Sequence, residues 1–251
     1  LLDAVVKLAY AGLDPIEAGR AVATLTFARK DEMSTTITVN NQEVNDTRPA
    51  YREQMEIGPH KSHCPSAAFE DLDVNAWYHE ATDFTIARGY MNGVSATGFA
   101  PGSSLTRAQA VTVLYRMEGE PETTAENPFT DVAANKYYTE AVIWAAENQI
   151  VKGMDATHYA PNTAVTREQL VTILARYAAF KGADVSAEAD PDFPDVGQVS
   201  HYAMSAMAWA VERGLICGID GKLSPKGTAS RAQFATVIMR FCEKILGEPG
   251  F

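Results

Sequence analysis

Apolar residues recur along most of this chain with the spacing of an amphipathic helix, and one such pattern returns three times. It is found in "TRAQAVTVLYR" from Thr106, "TREQLVTILAR" from Thr166 and "SRAQFATVIMR" from Ser230. Each stretch opens with a hydroxyl residue, has glutamine three positions later, and continues as an apolar stripe. This combination predicts a helix that begins with a capping box.

A second, earlier helix is predicted in each unit, beginning near Trp77, Tyr137 or Tyr202. Glycine follows it at Gly89 and Gly214, which suits the left-handed residue after a helix, whereas Gln149 stands at that place in the second unit. A loop with a glycine and the triplets "FAP", "YAP" or "LSP" then leads to the capped helix. Apolar positions at i, i+3 predict core packing for three large side chains: Phe84, Trp144 and Trp209.

Two landmarks far apart in the unit repeat with the same spacing. Arginine at the start of the capped helix falls at 107, 167 and 231, and aspartate near the start of the unit falls at 71, 131 and 195. Both series are therefore spaced by 60 and then 64 residues. We predict a mainly α chain with three tandem two-helix repeats over residues 67–120, 127–182 and 191–246, the third departing most from the pattern.

Residues 1–66 do not share the repeat and are predicted to be a short mixed extension, or the remnant of an upstream domain. Two short helices are predicted over residues 1–13 and 14–32, and "TTITVNNQEV" predicts a strand followed by a turn. The following stretch to residue 67 is predicted to be an irregular lead-in. It contains His60, His63 and Cys64, but a fourth ligand and a second cluster are absent, so we expect a solvated linker and no metal site.

The arginine at the start of each capped helix is electrostatically unexpected. The positive end of the helix dipole lies there and favours acidic residues. The chain is also acidic, with a net charge of −11, so it would repel a nucleic-acid backbone. An anionic partner would have to be held by local arginines. Neither a transmembrane-length apolar run nor a cofactor motif is present in the sequence, and its three cysteines show no CxxC spacing.

The repeated pattern closely resembles the S-layer homology domain family. It comprises F-x-D-[VL], an aromatic residue six or seven positions on, a helix ending near glycine, a second glycine, an aromatic or apolar residue before x-P, and then [TS]-R-x-[EQ]. The resemblance covers about residues 67–246. It implies a helical module with pseudo-threefold symmetry that attaches extracellular proteins to the bacterial cell wall. Grooves between its units would hold a secondary cell-wall polysaccharide that often carries pyruvate ketals.

The resemblance offers a role for the misplaced arginines. A ketal-bound pyruvate presents a carboxylate, which the planar guanidinium of Arg107, Arg167 or Arg231 could bind with two hydrogen bonds. The helix start behind each arginine would add free N–H groups. Alternatively, each arginine pairs with a nearby carboxylate, for which Asp71, Asp131 and Asp195 are the candidates, and both roles can hold together.

Other positions have two open interpretations. Trp77, Tyr137 and Tyr202 could stack on a sugar ring or close the core at the helix start. The three aspartates could bind glycan, cap a turn or position an arginine. The loop glycines could let the backbone approach a sugar or could supply a left-handed turn; they are Gly93, Gly153 and Gly218.

The sequence favours a non-catalytic anchor over two other classes of protein. An enzyme would need a carboxylate pair, nucleophile motif or metal constellation that we cannot identify in the repeats, although a catalytic domain could have been lost upstream. A helical scaffold for protein partners is the second alternative, but a period near 60 residues does not match the shorter solenoid repeats.

Overall fold

The computed structural model describes residues 35–41, 51–57 and 64–248. The chain divides into two units, Leu1–Pro59 and His60–Phe251. The helices predicted over residues 1–13 and 14–32, together with His60 and His63, lie outside the described residues.

The first unit contains an antiparallel pair of strands, β1 (Thr35–Asn41) and β2 (Tyr51–Ile57), with Thr35 opposite Ile57. The first strand confirms the strand predicted within "TTITVNNQEV", and the turn predicted after it lies outside the described residues. The second shows that our irregular lead-in was wrong, because the stretch "YREQMEI" is extended and pairs along its whole length.

Within residues 64–248, the second unit contains six α-helices, two in each repeat. They are α1 (His79–Ala87), α2 (Arg107–Met117), α3 (Thr139–Glu147), α4 (Arg167–Phe180), α5 (Met204–Glu212) and α6 (Arg231–Phe241). This architecture confirms the mainly α class with three two-helix repeats.

The first helix of each repeat begins two residues later than predicted. Trp77 and Tyr137 lie in the turns before α1 and α3, and Tyr202 lies in a 3₁₀ turn, His201–Ala203, before α5. The predicted stops are correct. Gly89 and Gly214 take the left-handed conformation with φ of 70° and 62°, and Gln149 takes it with φ of 58° despite its side chain.

The second helix of each repeat begins with the predicted capping box. In α2, the Gln109 amide N–H donates to Thr106 Oγ1 at 3.2 Å, and Gln109 Oε1 accepts from the Thr106 N–H at 3.0 Å. Reciprocal bonds of the same kind open α4 and α6. These bonds fix the direction in which the chain enters each helix.

The repeats pack around a ring. Each capped helix contacts the first helix of the next repeat, giving the pairs α2–α3, α4–α5 and α6–α1. The last pair joins the third repeat back to the first. Phe84, Trp144 and Trp209 are buried in the resulting core, as the sequence predicts.

Three backbone hydrogen bonds close the ring at its centre. Leu105 N–H donates to Ala229 O at 2.8 Å, Ala229 N–H donates to Val165 O at 3.2 Å, and Val165 N–H donates to Leu105 O at 2.9 Å. These residues are equivalent positions of the three repeats, and all are buried. Because every bond crosses between repeats, the described module is closed with pseudo-threefold symmetry.

Candidate functional site

The repeated aspartate and arginine hold opposite sides of one residue. In the second repeat, the Asp131 carboxylate accepts from the N–H groups of Tyr159 and Ala160 at 2.8 and 2.7 Å. The carbonyl of the same Tyr159 accepts from Arg107 Nε, which comes from the first repeat, at 2.8 Å. The aspartate therefore fixes the loop within its own repeat, and the arginine links that loop to the preceding repeat.

The same arrangement occurs at the other two junctions. Asp195 accepts from Leu223 and Ser224, and Arg167 Nε donates to Leu223 O at 2.7 Å. The third junction closes the ring: Asp71 accepts from Phe99 and Ala100, and Arg231 Nε donates to Phe99 O at 2.7 Å.

Our alternative in which each arginine pairs with one of these aspartates is wrong. Among the described residues, no ion pair joins Arg107, Arg167 or Arg231 to the three carboxylates. The carboxylates are hydrogen-bonded to backbone N–H groups. They hold the residue whose carbonyl the arginine binds, and Asp195 and Asp71 also act on Arg167 and Arg231 through space. The interpretation that the aspartates secure a turn fits this geometry.

The expected free N–H groups at the helix start are also absent from α2, α4 and α6. In α2, the Arg107 N–H donates to Thr163 O at 2.9 Å and the Ala108 N–H donates to Pro161 O at 2.9 Å. The third amide of α2 is held by the capping box. Equivalent bonds from α4 and α6 reach carbonyls of the next repeat.

These carbonyls explain the position of the arginine. The helix start meets three carbonyl oxygens of the neighbouring loop, those of Tyr159, Pro161 and Thr163. Their negative ends offset the positive end of the helix dipole and favour a cation at the first helical position. Arg107 also lies over the Tyr159 ring at 4.6 Å, and Arg231 lies over Phe99 at the same distance.

Burial makes the charge of these arginines costly. It lowers the pKa of Arg167, an effect that nearby Asp195 partly offsets. It also lowers the pKa of Arg231, although Tyr137 and Asp71 act to raise it. A guanidinium in this state gains more from an anion than one in open water does, because less solvent screens the interaction.

A groove of about 310 Å³ lies beside Arg107 and draws its wall from all three repeats. Arg107 belongs to the first repeat, Lys152 and Arg176 to the second, and Tyr202 to the third. Tyr202 and Arg176 interact electrostatically, and so do Tyr202 and Arg107. We call this surface groove A. It combines three cations with an exposed aromatic ring.

A second groove, about 390 Å³ in volume, lies beside Arg167. Its cations are Arg167 from the second repeat and Arg240 from the third, and its aromatic residue is Trp77 from the first. We call this surface groove B. Its two arginines and its aromatic residue correspond to those of groove A with each contribution moved to the next repeat, but Cys217 stands where groove A has Lys152.

Arg231, Arg116 and Tyr137 form a third set with the same origins. Arg231 interacts electrostatically with both of the others. Here Arg231 Nη2 donates to Asn92 O at 2.7 Å, so one terminal nitrogen of the guanidinium is engaged by the protein. For Arg107 and Arg167, the hydrogen bonds within the described residues use only Nε.

Arg107 and Arg167 are largely buried, with 5% and 7% of their surface exposed. Among the described residues, their side-chain hydrogen bonds use Nε and leave the terminal nitrogens without a protein acceptor. Both arginines lie in groove walls, so these nitrogens are candidates for contact with a ligand.

The three predicted aromatic residues do not close the core. Trp77 is 68% exposed, Tyr137 63% and Tyr202 55%. Trp77 and Tyr137 each pack edge-on against the next residue of the chain, Tyr78 or Tyr138, which leaves much of the ring uncovered. An exposed aromatic ring beside a polar groove is suited to stacking on the apolar face of a sugar.

The loop glycines have an internal reason for being glycine. A Cβ at Gly153 would lie 2.5 Å from Asp155 O and 2.7 Å from the Phe129 ring, and φ there is +76°. Gly218 has the same close contact with Phe193 and a φ of +80°. Gly93 is equally crowded by Phe69 but lacks a left-handed φ, so that part of the explanation fails for it. Packing against the opening phenylalanine is common to all three.

The grooves contain a second set of cations that we did not predict from the sequence, drawn from Arg116, Arg176 and Arg240. Arg176 and Arg240 line grooves A and B. Each of the three follows the first arginine of its repeat by nine residues, and that recurrence is the signal that could have revealed them.

Comparison with known proteins agrees with the geometry. The profile of the S-layer homology domain matches residues 68–111, 128–171 and 192–235, one segment in each repeat. The chain is 30% identical over 181 residues to the surface-layer 125 kDa protein of Lysinibacillus sphaericus, covering 70% of this chain and 15% of the relative. It is 31% identical over 179 residues to an endoglucanase of a Bacillus species, covering 70% and 19%.

A third relative is the exoglucanase XynX of Acetivibrio thermocellus, 27% identical over 184 residues, which covers 71% of this chain and 16% of the relative. The chain thus spans less than a fifth of the length of each of these relatives. What is shared is the repeated module and not the whole protein.

Fold and site together define a closed, three-repeat helical module with polar grooves between its repeats. The chain belongs to the S-layer homology domain family. Domains of this family are non-catalytic modules that anchor proteins at the bacterial cell wall, which gives this chain an extracellular place at the cell surface. Within the described residues, the helices are too short or too polar to cross a membrane.

Proposed function

We propose that this module holds an anionic secondary cell-wall polysaccharide in the grooves between its repeats, and that pyruvate ketals on the polymer supply the recognised carboxylates. The observation that carries the proposal is the composition of groove A. It joins two arginines, a lysine and an exposed tyrosine from three different repeats. A polymer of sugar rings bearing carboxylates is complementary to both features.

The geometry supports a specific role for each groove residue. Arg107 is fixed by its Nε bond to Tyr159 O, so its terminal nitrogens are pre-oriented and lose little freedom when a ligand binds. Those nitrogens would bind the carboxylate in a two-pronged contact. Tyr202 would stack on the neighbouring sugar, and Arg176 and Lys152 would attract the remaining negative charge.

Groove B supports the same role with two cations instead of three. Arg167 takes the place of Arg107 and Trp77 that of Tyr202. The equivalent set around Arg231 has one terminal nitrogen already bound to Asn92 O, which favours weaker binding there. Two or three modest sites on one polymer would give durable attachment through their high effective concentration.

The test compares cell walls that carry the polysaccharide with and without enzymatic or chemical removal of pyruvate. Purified full-length chain should sediment with untreated walls and lose most of that binding after depyruvylation. Arg107→Ala and Arg167→Ala should each weaken binding, while Arg213→Ala, an exposed arginine outside both grooves, should not.

The other outcomes are equally informative. If wall binding is unchanged by depyruvylation and by both arginine substitutions, the chain is still a wall anchor but the proposed site is refuted. Absence of wall binding would favour a scaffold for protein partners.

The relatives with enzyme names bear on the parent protein. An endoglucanase and an exoglucanase share the module but extend far beyond it. We propose that the anchor acts independently of what it carries, including an enzyme that acts on the wall. Turnover of purified wall by the present chain would contradict this.

A further inference from the structure

A buried cluster at the start of the first repeat is not explained by the anchor. Cys64 Sγ, Ser66 Oγ and Asp83 Oδ2 lie 3.4, 3.1 and 3.2 Å from one atom, Nε2 of His79. His79, Asp83 and Ser66 are buried, and Cys64 is partly buried. The Cys64 thiol also interacts with the Asp83 carboxylate, so a thiol, an imidazole and a carboxylate converge on one place.

The distances agree with those between three protein ligands of a tetrahedral metal ion, whose fourth position would be taken by water. Zinc bound to a thiolate at about 2.3 Å and to imidazole and carboxylate at about 2.0–2.1 Å separates sulfur from nitrogen by about 3.5 Å and nitrogen from oxygen by about 3.3 Å. Cys64 Sγ and His79 Nε2 are 3.4 Å apart, and His79 Nε2 and Asp83 Oδ2 are 3.2 Å apart. The three ligand atoms all lie within 4.8 Å of one another.

We propose that Cys64, His79 and Asp83 bind one zinc-like divalent transition-metal ion. A thiolate and an imidazole exclude Ca²⁺ and Mg²⁺, which prefer oxygen ligands, and favour Zn²⁺. Thiolate and carboxylate together carry two negative charges, which neutralise the ion in this buried place. When the metal binds, the Cys64 thiol gives its proton to solvent and a sulfur–metal bond replaces the S–H bond.

A supporting contact orients one ligand. The Ser66 N–H donates to Asp83 Oδ1 at 2.8 Å, which leaves Oδ2 directed at the cluster. Metal-binding carboxylates are commonly held by such an outer hydrogen bond. Ser66 belongs to the 3₁₀ turn Pro65–Ala68, so the turn that follows Cys64 helps to position the helical ligand.

The site is specific to the first repeat. His79 and Asp83 are four residues apart on α1 and therefore share one side of the helix. The corresponding residues are Thr139 and Ile143 in α3, and Met204 and Ala208 in α5. Symmetry of the fold does not require a cluster here. A metal would tie the segment that precedes the first repeat to α1.

The proposal replaces our expectation of no metal site near Cys64. That expectation grouped Cys64 with His60 and His63, which lie outside the described residues, and rested on the lack of a fourth ligand and a second cluster. It missed His79 and Asp83, which are 15 and 19 positions further along the chain.

The experiment uses untagged, reduced, metal-stripped full chain titrated with Co²⁺ as a spectroscopic probe and then with Zn²⁺. We expect one Co²⁺ per chain, with visible absorption of tetrahedral cobalt and an ultraviolet thiolate-to-cobalt band, both displaced by Zn²⁺. Cys64→Ser, His79→Ala and Asp83→Asn should each lower affinity by more than the roughly 10–100-fold typical of losing an outer-shell partner.

Matched controls are available within the chain. His158 and Asp155 form an exposed pair at 3.0 Å without a cysteine, and Cys217 is an exposed thiol. His158→Ala and Cys217→Ser should leave the cobalt spectrum unchanged. If His79→Ala does not fold, as judged by circular dichroism, Cys64→Ser decides alone. Absence of the thiolate band, or its persistence in Cys64→Ser, would overturn the proposal.

Discussion

The bond between Arg107 and the Tyr159 carbonyl gives the sharpest test of how the ring is closed. Arg107→Lys keeps the positive charge but removes the Nε donor, whose bond is 2.8 Å long. A hydrogen bond from a charged donor contributes about 1.5–3 kcal/mol to stability. Loss of the guanidinium over the Tyr159 ring, 4.6 Å away, adds about 0.5–1 kcal/mol. Because the lysine ammonium can recover part of this, we expect a loss of about 2–3 kcal/mol.

The third repeat supplies an internal comparison. Arg167 makes the same bond at 2.7 Å, but its partner residue is Leu223, which has no ring. Arg167→Lys should therefore cost less than Arg107→Lys by the ring contribution, about 0.5–1 kcal/mol. In a Tyr159→Leu background, Arg107→Lys should cost about as much unfolding free energy as Arg167→Lys does. The leucine keeps the backbone carbonyl in place and removes the aromatic face.

The assay is equilibrium urea unfolding followed by tryptophan fluorescence, to which the buried Trp144 and Trp209 contribute. Arg213→Lys, at an exposed position, is the control and should be neutral. A change below about 0.5 kcal/mol for Arg107→Lys, within the range of ordinary surface substitutions, would refute the closing role of the bond. If wall binding were then lost at unchanged stability, the arginine would serve the ligand alone.

Three further predictions follow from single residues. Gly153→Ala should destabilise the fold by roughly 3 kcal/mol, because the added Cβ would lie 2.5 Å from a backbone oxygen. Gly182→Ala, with a similar φ of +79° but open space around it, should cost only roughly 1 kcal/mol. Equal losses in urea unfolding would contradict the packing argument. Burial opposes the ionisation of Asp131 and Asp195, but hydrogen bonds from backbone N–H groups outweigh it and lower the pKa of both carboxyls. The ionised carboxylates should therefore stabilise the fold fully above the ordinary aspartate pKa. This contribution should be lost as the pH falls through the lowered pKa values. Thermal unfolding between pH 2 and 7 should show that acid loss, and the double asparagine variant should show less of it; an unchanged acid profile would count against the carboxylate role. Trp77→Ala should change the free energy of unfolding by less than about 1 kcal/mol, since the ring is 68% exposed, yet weaken wall binding several-fold; undiminished binding in the sedimentation assay would remove it from the site.

Local features of the fold were predictable from the sequence because their causes are local. The capping boxes and the left-handed residues at Gly89 and Gly214 depend on neighbours within a few positions, and all are present. The starts of α1 and α3 were placed two residues early, because apolar spacing cannot distinguish the last turn before a helix from its first turn. Trp77 and Tyr137 fall in that turn.

The candidate site was predictable only in part, because its geometry depends on which repeats meet. The sequence identifies Arg107 as unusual, but not that Tyr159, 52 residues away, supplies its acceptor. Likewise, nothing local indicates that Tyr202 lies across the groove from Arg107. The free N–H groups we expected are taken by carbonyls of the next repeat, a contact that exists only once the ring has closed.

The central triangle of Leu105, Val165 and Ala229 also fixes how such a chain can grow. An open stack of repeats can gain or lose one unit at its end and keep every other interface. In this triangle, each repeat donates one backbone hydrogen bond and accepts one, and the third repeat is joined to the first. No repeat is therefore terminal. Deleting a unit would break two interfaces at once, and inserting a fourth would force the triangle open. From this closure we expect a longer anchor to be built from separate rings of three repeats, and not by adding single repeats to one ring.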